Sequence, residues 1–410
     1  MNSVDLTFKH NINKGRHGWI RLTPAYSIIL VKNILDDLSD GEKEYVLDPF
    51  SGTGTTGLVS AESGIPCDLY ETNPFLEWIA RAKTRRYSSD QIENARKAAL
   101  LIIKDANDYP SNKLWAPAIF RIERWWNPTV LDVLKRVCFG ISLNTEKDDG
   151  YIADLLRVAF CKLLIKWSNA AFNHQSMSFK QEAQNDSLKD NLLKEMLDFF
   201  ELELNQILEA ASQNPNAQVN VYLHNSKKMP SDIKSRYTCV ITSPPYANRM
   251  SYVREVRPYM YWLNLIKESK EAADIEWDAT GGTWGTATSR LNGWKPRGFF
   301  KNDREFLEMI TKINAESQLL ANYVHRYFED MYSHFSSLSS VLKQSAQLHY
   351  IIGNSKFYDI IVPTEEIYAK IMKNNGFENV KTNLLRKRSS KKELYEFHIS
   401  ANYEKSSLMC

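Results

Sequence analysis

A glycine-rich turn near the start of the chain has the residue types and spacing of a nucleotide-binding site. The segment Asp48–Gly57 reads D-P-F-S-G-T-G-T-T-G, so its glycines follow the pattern G-x-G-x-x-G. Glycines at these positions let the backbone approach a ligand closely. Glu71 follows about 20 residues later, where a carboxylate can accept hydrogen bonds from ribose hydroxyls. The pattern predicts a nucleotide-containing cofactor and leaves NAD, FAD and S-adenosylmethionine open.

Asp48 favours one of these cofactors. A carboxylate at the tip of a strand would repel a pyrophosphate, whereas it suits a ligand that carries a cationic amino group. S-adenosylmethionine has such a group and no pyrophosphate. The residues just before the first glycine therefore indicate S-adenosylmethionine.

A second segment, Ser243–Tyr246, reads S-P-P-Y and directly follows the apolar run Cys239–Thr242. Two prolines fix two φ angles and remove two backbone donors, so nearby carbonyl oxygens remain free to accept hydrogen bonds. The exocyclic amine of a nucleobase is a poor nucleophile because its lone pair is delocalised into the ring. Acceptance of its two hydrogens by the Ser243 hydroxyl and the Pro244 carbonyl would expose that lone pair to a methyl donor. The Tyr246 ring offers a surface on which an extruded base can stack.

The elements around both segments predict a parallel α/β sheet. The first glycine turn lies between a short apolar strand and a helix that ends near Gly64, and a second strand then ends at Glu71, which makes one βαβ unit. Strand patterns return at Val219–Leu223, Tyr237–Thr242 and Leu348–Ile352. Because ligands bind at the carboxyl ends of parallel strands, we expect both segments to meet at one edge of the sheet.

Between the two segments the pattern changes to long amphipathic helices. We expect residues 1–87 to form the first half of the sheet domain, residues 88–213 a large helical insertion, and residues 214–410 the second half. A stretch at about residues 277–300 is rich in Gly, Trp, Thr and Arg and lacks periodicity, which is typical of a long functional loop.

Composition excludes several classes of protein. The 410 residues are 43% hydrophobic and 25% charged, which is ordinary globular usage rather than that of a disordered or fibrous chain. The net charge of +3 does not by itself indicate a polyanion-binding protein. The five cysteines form no C-x-x-C pair, so we expect neither a metal site nor a disulfide framework. No apolar run approaches the roughly 18 residues that span a bilayer, and we expect a cytoplasmic protein without a membrane partner.

Together the two segments resemble the family of S-adenosylmethionine-dependent DNA amino-methyltransferases, which modify the exocyclic amine of cytosine or adenine. The resemblance rests on Asp48–Thr55 and Thr242–Tyr246. It implies an α/β, Rossmann-like methyltransferase sheet with helices on both faces, whose first segment binds the methionine end of the cofactor and whose second holds the target base. A serine at the start of the second segment is typical of cytosine-N4 enzymes, whereas aspartate or asparagine is typical of adenine-N6 enzymes.

The resemblance therefore implies an enzyme that methylates N4 of a flipped cytosine at specific sites in double-stranded DNA. It further implies a restriction–modification system, with a cognate restriction endonuclease as a partner. The alternatives are an adenine-N6 or RNA base methyltransferase and, from a different class, an inactive methyltransferase-fold module that only binds nucleic acid. Intact glycines and an intact S-P-P-Y segment argue against an inactive module.

Weaker resemblances extend the set of predicted site residues. The segment that contains Trp19 is similar to the element that the family packs on its cofactor, Asn73 follows the strand that ends at Glu71, and Asn225 stands where the family often has an acid against the adenine ring. The predicted cofactor-binding residues are Trp19, Asp48, Pro49, Phe50, Gly52, Gly54, Thr55, Glu71, Asn73, Asn225 and Ser226, and the predicted catalytic residues are Ser243, Pro244, Pro245 and Tyr246.

Basic and aromatic side chains after the second segment are candidates for contacts with DNA. Two arginines lie just beyond Tyr246, and the loop at about residues 277–300 supplies the others. The predicted DNA-binding residues are Arg249, Arg254, Trp284, Arg290, Lys295 and Arg297. The segment 166–176, at the end of an amphipathic helix in the insertion, and the basic run 386–392 are further candidates. The insertion itself is a candidate for DNA recognition.

Overall fold

A seven-stranded, mostly parallel sheet organises the chain. The computed structural model describes residues 11, 14–22, 26–171, 178–179, 191–282, 286–388 and 393–404. The strands are β1 (Val46–Asp48), β2 (Cys67–Glu71), β3 (Ala170–Ala171), β4 (Ser178–Phe179), β5 (Val219–Leu223), β6 (Tyr237–Thr242), β7 (Leu342–Gly353), β8 (Ser355–Phe357), β9 (Ile360–Val362), β10 (Phe377–Lys387) and β11 (Tyr395–Tyr403). The main sheet has the order β10-β11-β7-β6-β1-β2-β5.

All strands of this sheet run in one direction except β11. The strands β5, β2, β1, β6 and β7 are mutually parallel, whereas β11 runs antiparallel to both β7 and β10. The carboxyl ends of β1, β2 and β6 therefore meet at one edge. The order changes direction next to β1, which is the point at which open α/β sheets bind their ligands.

Helices fill both faces of the sheet and the insertion. They are α1 (Ile28–Asp37), α2 (Thr55–Glu62), α3 (Pro74–Thr84), α4 (Ser89–Asp105), α5 (Ile122–Trp125), α6 (Pro128–Asn144), α7 (Tyr151–Lys166), α8 (Leu192–Ser212), α9 (Tyr252–Trp262), α10 (Ser269–Asp278), α11 (Thr286–Asn292), α12 (Arg304–Glu316), α13 (Gln318–Leu338) and α14 (Thr364–Asn374). No helix in these described ranges is both long and apolar enough to cross a membrane.

Alternating side chains along the strands build two cores. Val46 and Ile241 point to one face and pack with α1 and α2, whereas Leu47 and Val240 point to the other and pack with α13 and α14. Because successive residues of a strand face opposite sides, a sheet that is apolar on both faces needs a helix layer on each. The prediction of an α/β, Rossmann-like methyltransferase sheet with helices on both faces is confirmed.

The segment between β2 and β5 is mainly helical. Helices α4, α6, α7 and α8 pack into a third core, which also includes residues of α3 and α9. A short antiparallel pair, β3 with β4, lies between α7 and α8. The proposed boundaries at residues 87 and 213 fall beside α4 and α8.

Two histidines on neighbouring strands lead to a testable consequence for acid stability. His349 Nδ1 lies 2.9 Å from His398 Nε2, and their rings stack with centroids 5.1 Å apart. Burial, reinforced by the neighbouring His398, lowers the pKa of His349 to about 3, and burial also lowers the pKa of His398. Both rings are therefore neutral in the folded protein at neutral pH.

We expect this pair to make the protein less stable in mild acid. Below the ordinary histidine pKa of about 6.5 the unfolded chain binds protons that the folded chain refuses, so stability present above that pH falls as the pH drops towards the folded values. Urea unfolding of wild-type protein and His398→Gln at neutral and mildly acidic pH measures the effect. The wild-type protein should lose more stability on acidification than the variant, and equal losses would contradict the prediction.

Candidate active site

A cavity at the carboxyl ends of β1, β2 and β6 brings residues of both sequence segments together. Its volume is about 900 Å³ with the solvent space at its mouth included. Residues of helices α9 and α10 also line it. The lining includes Leu22, Tyr26, Pro49, Phe50, Ser51, Gly52, Thr53, Thr55, Glu71, Thr72, Asn73, Leu76, Asn225, Ser226, Ser243, Pro245, Tyr252, Val253, Ile275 and Glu276.

The glycine turn after β1 uses its first two glycines in different ways. Both have positive φ, +51° at Gly52 and +78° at Gly54, a region that other residues adopt only with strain. Gly52 lines the cavity, and its N–H donates to Glu71 Oε2 at 2.9 Å. A Cβ atom at Gly54 would lie 3.0 Å from the Cβ of Ala80 on α3. Gly54 therefore allows α2 and α3 to pack closely, whereas Gly52 borders the ligand space.

Glu71 is held by backbone donors at the end of β2. Its Oε2 accepts from Gly52, and its Oε1 accepts from the N–H groups of Thr72 and Asn73, both at 2.9 Å. These three donors favour the ionised carboxylate, but burial outweighs them and raises the pKa of Glu71 to about 7. The carboxylate is fixed in direction and still borders the cavity, as a ribose-binding acid requires.

Two buried polar atoms beside the cavity lack a hydrogen-bond partner in the described part of the chain, which bears on whether the cavity fits a nucleoside cofactor. Ser51 Oγ and Asn73 Nδ2 are buried and have no hydrogen-bond partner among the described residues, although both residues line the cavity. Buried polar atoms without a partner are costly, so their presence beside a cavity indicates a ligand that completes them. The residues at this end of the cavity therefore fit a ligand that carries hydrogen-bond acceptors, such as hydroxyl groups, for Asn73 Nδ2 and Ser51 Oγ.

The pKa of Glu71 leads to an expected pH dependence of ligand binding. An ionised carboxylate accepts hydrogen bonds from ribose hydroxyls better than a protonated one, so affinity for S-adenosylhomocysteine should rise as the pH increases from about 6 to 8. Isothermal titration calorimetry across this range measures it. Glu71→Gln should bind more weakly and lose the pH dependence. A pH dependence retained in Glu71→Gln would assign the titration to another group.

Asp48 does not line the cavity, in contrast to the expectation that it contacts a cationic group of the cofactor. It is fully buried at the end of β1. Its Oδ1 accepts from Thr242 Oγ1 at 2.6 Å and from the N–H of Phe50 at 3.0 Å, and its Oδ2 accepts from Thr56 Oγ1 at 2.6 Å. Tyr26 adds a fourth bond at 3.1 Å. Burial raises the pKa of Asp48, opposed by these hydrogen bonds. Asp48 therefore joins the tips of β1 and β6 to the start of α2.

Ser243 and Pro245 line the part of the cavity at the end of β6, whereas Pro244 does not line it. Ser243 Oγ donates to the carbonyl of Ile351 at 3.0 Å, which commits its hydrogen and leaves its lone pairs as acceptors. The Pro245 carbonyl already accepts from the Tyr327 hydroxyl at 2.7 Å. No hydrogen bond from a described residue reaches the Pro244 carbonyl, although Pro244 itself is buried.

Tyr246 is positioned by Glu396, which the sequence analysis did not single out, and by two arginines of the basic run 386–392. Its hydroxyl donates to Glu396 Oε1 on β11 at 2.7 Å, and Glu396 Oε2 accepts from Arg386 Nε on β10 at 2.6 Å. The Arg388 guanidinium lies 5.0 Å from the centre of the Tyr246 ring. A Cβ atom at Gly353 would approach that ring to 2.8 Å. Tyr246 does not line the cavity, and its ring contacts other protein groups.

Glu276 is a second carboxylate of the cavity that sequence reasoning missed. It is 1% exposed on α10, and its Oε2 accepts from Ser251 Oγ at 2.7 Å. Ser251 also caps the start of α9 by accepting from the N–H of Arg254. The sequence offers one signal for this residue, a glutamate on the apolar side of an amphipathic helix. A glutamate that forms an ordinary ion pair in the core would give the same pattern.

The remaining predicted cofactor residues are divided between the cavity and other places. Pro49, Phe50 and Thr55 line it, as do Asn225 and Ser226 beyond β5. The Phe50 ring lies 4.9 Å from the ring of buried His334. Trp19 lies elsewhere: it is 3% exposed in the core that α4 to α8 share, next to Tyr87. Leu22, from the same segment as Trp19, reaches the cavity instead.

The predicted DNA-binding residues differ in how they are paired. Arg297 forms ion pairs with Glu329 and Asp330 on α13 at 3.2 and 3.0 Å, which ties its loop to the protein. Arg290 pairs with Asp274 at 2.5 Å. Both therefore form ion pairs within the protein, and their predicted contact with DNA stays a prediction.

The other four predicted DNA-binding residues fall into three groups. Arg249 and Lys295 are exposed, and no carboxylate in the described ranges forms an ion pair with either. Arg254 lies in the first turn of α9. Trp284 lies outside the described residues.

Comparisons with known proteins find distant relatives by sequence. No protein-family model matches the chain, and neither does any solved structure. The chain is 23% identical over 400 residues to the Type II methyltransferase M.AvaI of Nostoc sp., which covers 91% of this chain and 81% of that protein. M.BsoBI of Geobacillus stearothermophilus is 21% identical over 430 residues, 93% of this chain and 82% of its own. M.MvaI of Kocuria varians is 21% identical over 361 residues, 81% and 75% respectively.

Each of these relatives is named as a Type II methyltransferase, and each alignment covers most of both chains. The chain is therefore similar, at 21–23% identity and over most of its length, to Type II methyltransferases.

Proposed function

We propose that this protein is a site-specific DNA methyltransferase that transfers a methyl group from S-adenosylmethionine to N4 of a flipped cytosine in double-stranded DNA. One observation carries the proposal. The glycine turn and the S-P-P-Y segment contribute Gly52 and Ser243 to the lining of a single cavity. A methyl donor and an acceptor base can therefore be bound within one enclosed space.

The cofactor is assigned to the end of the cavity near β1 and β2. Glu71 would accept hydrogen bonds from the ribose hydroxyls, and Ser51 Oγ and Asn73 Nδ2 would find the partners that they lack. S-adenosylmethionine supplies an electrophilic methyl group when it is bound there. Phe50 and Leu76 contribute apolar surface to the same end.

The target amine is assigned to the Ser243 end. Since Ser243 Oγ donates its hydrogen to the Ile351 carbonyl, it can only accept from the amine. The Pro244 carbonyl is the second proposed acceptor. Acceptance of both N–H groups draws the nitrogen towards a tetrahedral geometry and frees its lone pair for bond formation with the methyl carbon. As that bond forms, the carbon–sulfur bond would break, S-adenosylhomocysteine would leave, and the amine would release one proton to solvent. Serine at position 243, by resemblance to the cytosine-N4 enzymes, supports cytosine as the base.

The division of labour along the chain follows from this assignment. We propose that residues 1–87 and 214–410 are the two halves of the catalytic domain and that the helical insertion at 88–213 contacts DNA. The family resemblance, together with the Type II names of the relatives, supports a restriction–modification system with a cognate endonuclease.

Mass spectrometry of modified nucleosides tests the proposed activity. Purified protein is incubated with isotopically labelled S-adenosylmethionine and unmethylated genomic DNA, and the DNA is digested to nucleosides. We expect labelled N4-methylcytosine, with its initial rate of formation about a hundredfold lower in a parallel Ser243→Ala reaction. Label on adenine would transfer the assignment to adenine N6, and label only on added RNA would indicate an RNA enzyme. Cofactor binding without transfer to any of these would favour an inactive binding module.

Sequencing of modified positions in DNA from cells that express the protein tests the restriction–modification context. We expect one short sequence motif to be modified at nearly every occurrence. A digest with endonucleases that cut at that motif should then leave this DNA intact. Modification scattered over unrelated sequences would contradict site specificity.

A further inference from the structure

A loop of the helical insertion exposes aromatic side chains beside unpaired cations. Phe120 is 82% exposed and Trp115 is 46% exposed, although each would be stabilised by burial. Arg121, which follows Phe120, has φ +50° and ψ 54°, a left-handed backbone conformation that is strained for any residue with a long side chain. An exposed aromatic side chain next to a residue with a strained backbone indicates a surface that serves in binding.

The cations of this loop are not neutralised within the protein. Lys113, Arg121 and Arg124 are exposed, and none forms an ion pair with a carboxylate in the described part of the chain. Glu123 is the one acid in residues 113–124, so this segment carries a net charge of +2 (three cations less one anion). The Arg121 guanidinium lies 5.2 Å from the centre of the Phe120 ring. Positive charge interleaved with aromatic rings complements nucleic acid, which offers phosphates and base faces.

Tryptophans hold the loop against the element that leads to the cavity. Trp115 lies edge-on to Trp262 at 6.2 Å between ring centres, and Trp262 also contacts buried Trp126 at 5.7 Å. Trp262 is the last residue of α9, whose first residue, Tyr252, lines the cavity. Eleven helical residues span about 16 Å, which corresponds to roughly five base pairs of duplex. The loop is therefore anchored within reach of DNA whose target base enters the cavity.

A second segment of interest adjoins the same loop. Arg124 lies 4.6 Å from the ring centre of Phe179 on β4, and Trp125 contacts the same ring edge-on at 5.4 Å. β4 pairs with β3, so the segment 166–176 singled out from the sequence begins beside this loop. Its residues 172–177 lie outside the described ranges.

We propose that Lys113, Trp115, Phe120, Arg121 and Arg124, here called the insertion surface, contact duplex DNA beside the target base. Arg121 and Arg124 bind phosphates, and Phe120 packs against or between the neighbouring bases, as exposed apolar side chains of DNA-bending proteins do. The proposal rests on the proposed function because it takes DNA as the substrate. It adds a surface outside the catalytic cavity and the loop at 277–300.

Fluorescence anisotropy with a labelled duplex, taken from DNA that the wild-type protein methylates, tests the insertion surface. Phe120→Ala should raise the Kd for this duplex about tenfold. The double variant R121Q/R124Q should lower the slope of log K against log salt by about two, since each phosphate contact contributes about 0.9. Affinity for S-adenosylhomocysteine should stay at the wild-type value in both.

Matched controls separate this surface from general effects. Leu143→Ala removes another exposed apolar side chain of the insertion, 55% exposed on α6, and Lys312→Gln removes an exposed charge on α12. Both should bind DNA as the wild type does. Thermal melting checks that every variant is folded.

Three outcomes would overturn the proposal in distinguishable ways. Wild-type DNA affinity in Phe120→Ala and R121Q/R124Q would overturn this inference alone. A change in oligomeric state by sedimentation, without a change in DNA affinity, would assign the surface to a protein partner instead. Absence of methyl transfer to DNA by the wild-type protein would overturn the proposed function, and this inference with it.

Discussion

Ser243→Ala should lower kcat for methyl transfer about a hundredfold while S-adenosylhomocysteine binds with nearly wild-type affinity. Removal of one preorganised partner of a developing charge typically costs 10²–10³ in rate. Here the lost partner is an acceptor: the Ser243 hydroxyl, whose own hydrogen is held by the Ile351 carbonyl at 3.0 Å, could no longer accept from the target amine. Because the serine lies at the end of the cavity proposed to hold the base, cofactor binding should be spared.

Ser51→Ala is the matched control for this prediction. Ser51 Oγ also borders the cavity but lies at the cofactor end, and it has no partner among the described residues. The control should weaken S-adenosylhomocysteine binding and leave kcat at saturating cofactor close to wild type. Single-turnover kinetics and calorimetry measure the two effects separately. Equal losses of affinity and turnover in Ser243→Ala would show that this serine does not act on the amine.

Asp48→Ala should destabilise the folded protein by about 3 kcal/mol or more, in addition to weakening cofactor binding. The substitution removes a buried carboxylate with four hydrogen-bond donors, and each buried donor left without an acceptor costs about 1–3 kcal/mol. Thr56 can still donate to the Ile241 carbonyl, 3.3 Å away. Thr242 and the N–H of Phe50 have no such substitute in the hydrogen bonds of the described residues.

Asp48→Asn separates the hydrogen bonds from the charge. Asparagine keeps the volume and one acceptor oxygen, so its loss of stability should be smaller than that of alanine. Urea unfolding gives the stability of each variant, and calorimetry gives its affinity for S-adenosylhomocysteine. If Asp48→Ala retained wild-type stability and lost only cofactor affinity, Asp48 would contact the cofactor directly, and its role as a link between β1, β6 and α2 would be wrong.

The pairing of strands shows where sequence patterns stop being sufficient. The apolar runs at β1, β2, β5 and β6 are strong local signals, since buried parallel strands read as continuous hydrophobic segments. The edge strand β10 is mostly exposed and mostly polar, so it has no such run. The stretch at 277–300 was expected to be a loop without periodicity, but helix α11 lies inside it.

The contacts of the candidate site also divide into those that the sequence predicts and those that it does not. Gly52 and Glu71 belong to one βαβ unit, whose strand and helix lengths bring the two residues close together. In the structure the Gly52 N–H donates to Glu71 Oε2 at 2.9 Å. The contact between Tyr246 and Glu396 joins residues 150 positions apart and depends on the position of β11 in the sheet. The sequence around Glu396 has the alternating pattern of a strand, and this pattern does not identify Tyr246 as the hydrogen-bond partner of Glu396.

The sequence by itself therefore determined the βαβ unit, the two chemical segments and the edge of the sheet at which they meet. These depend on spacing along the chain and on the conformational limits of glycine and proline, which act locally. Only the tertiary structure decided that Asp48 is a structural link, that Glu276 enters the cavity and that Arg297 is neutralised by Glu329. A carboxylate or guanidinium has the same local signature whether it meets a ligand or another side chain, because its partner is chosen by packing between distant segments.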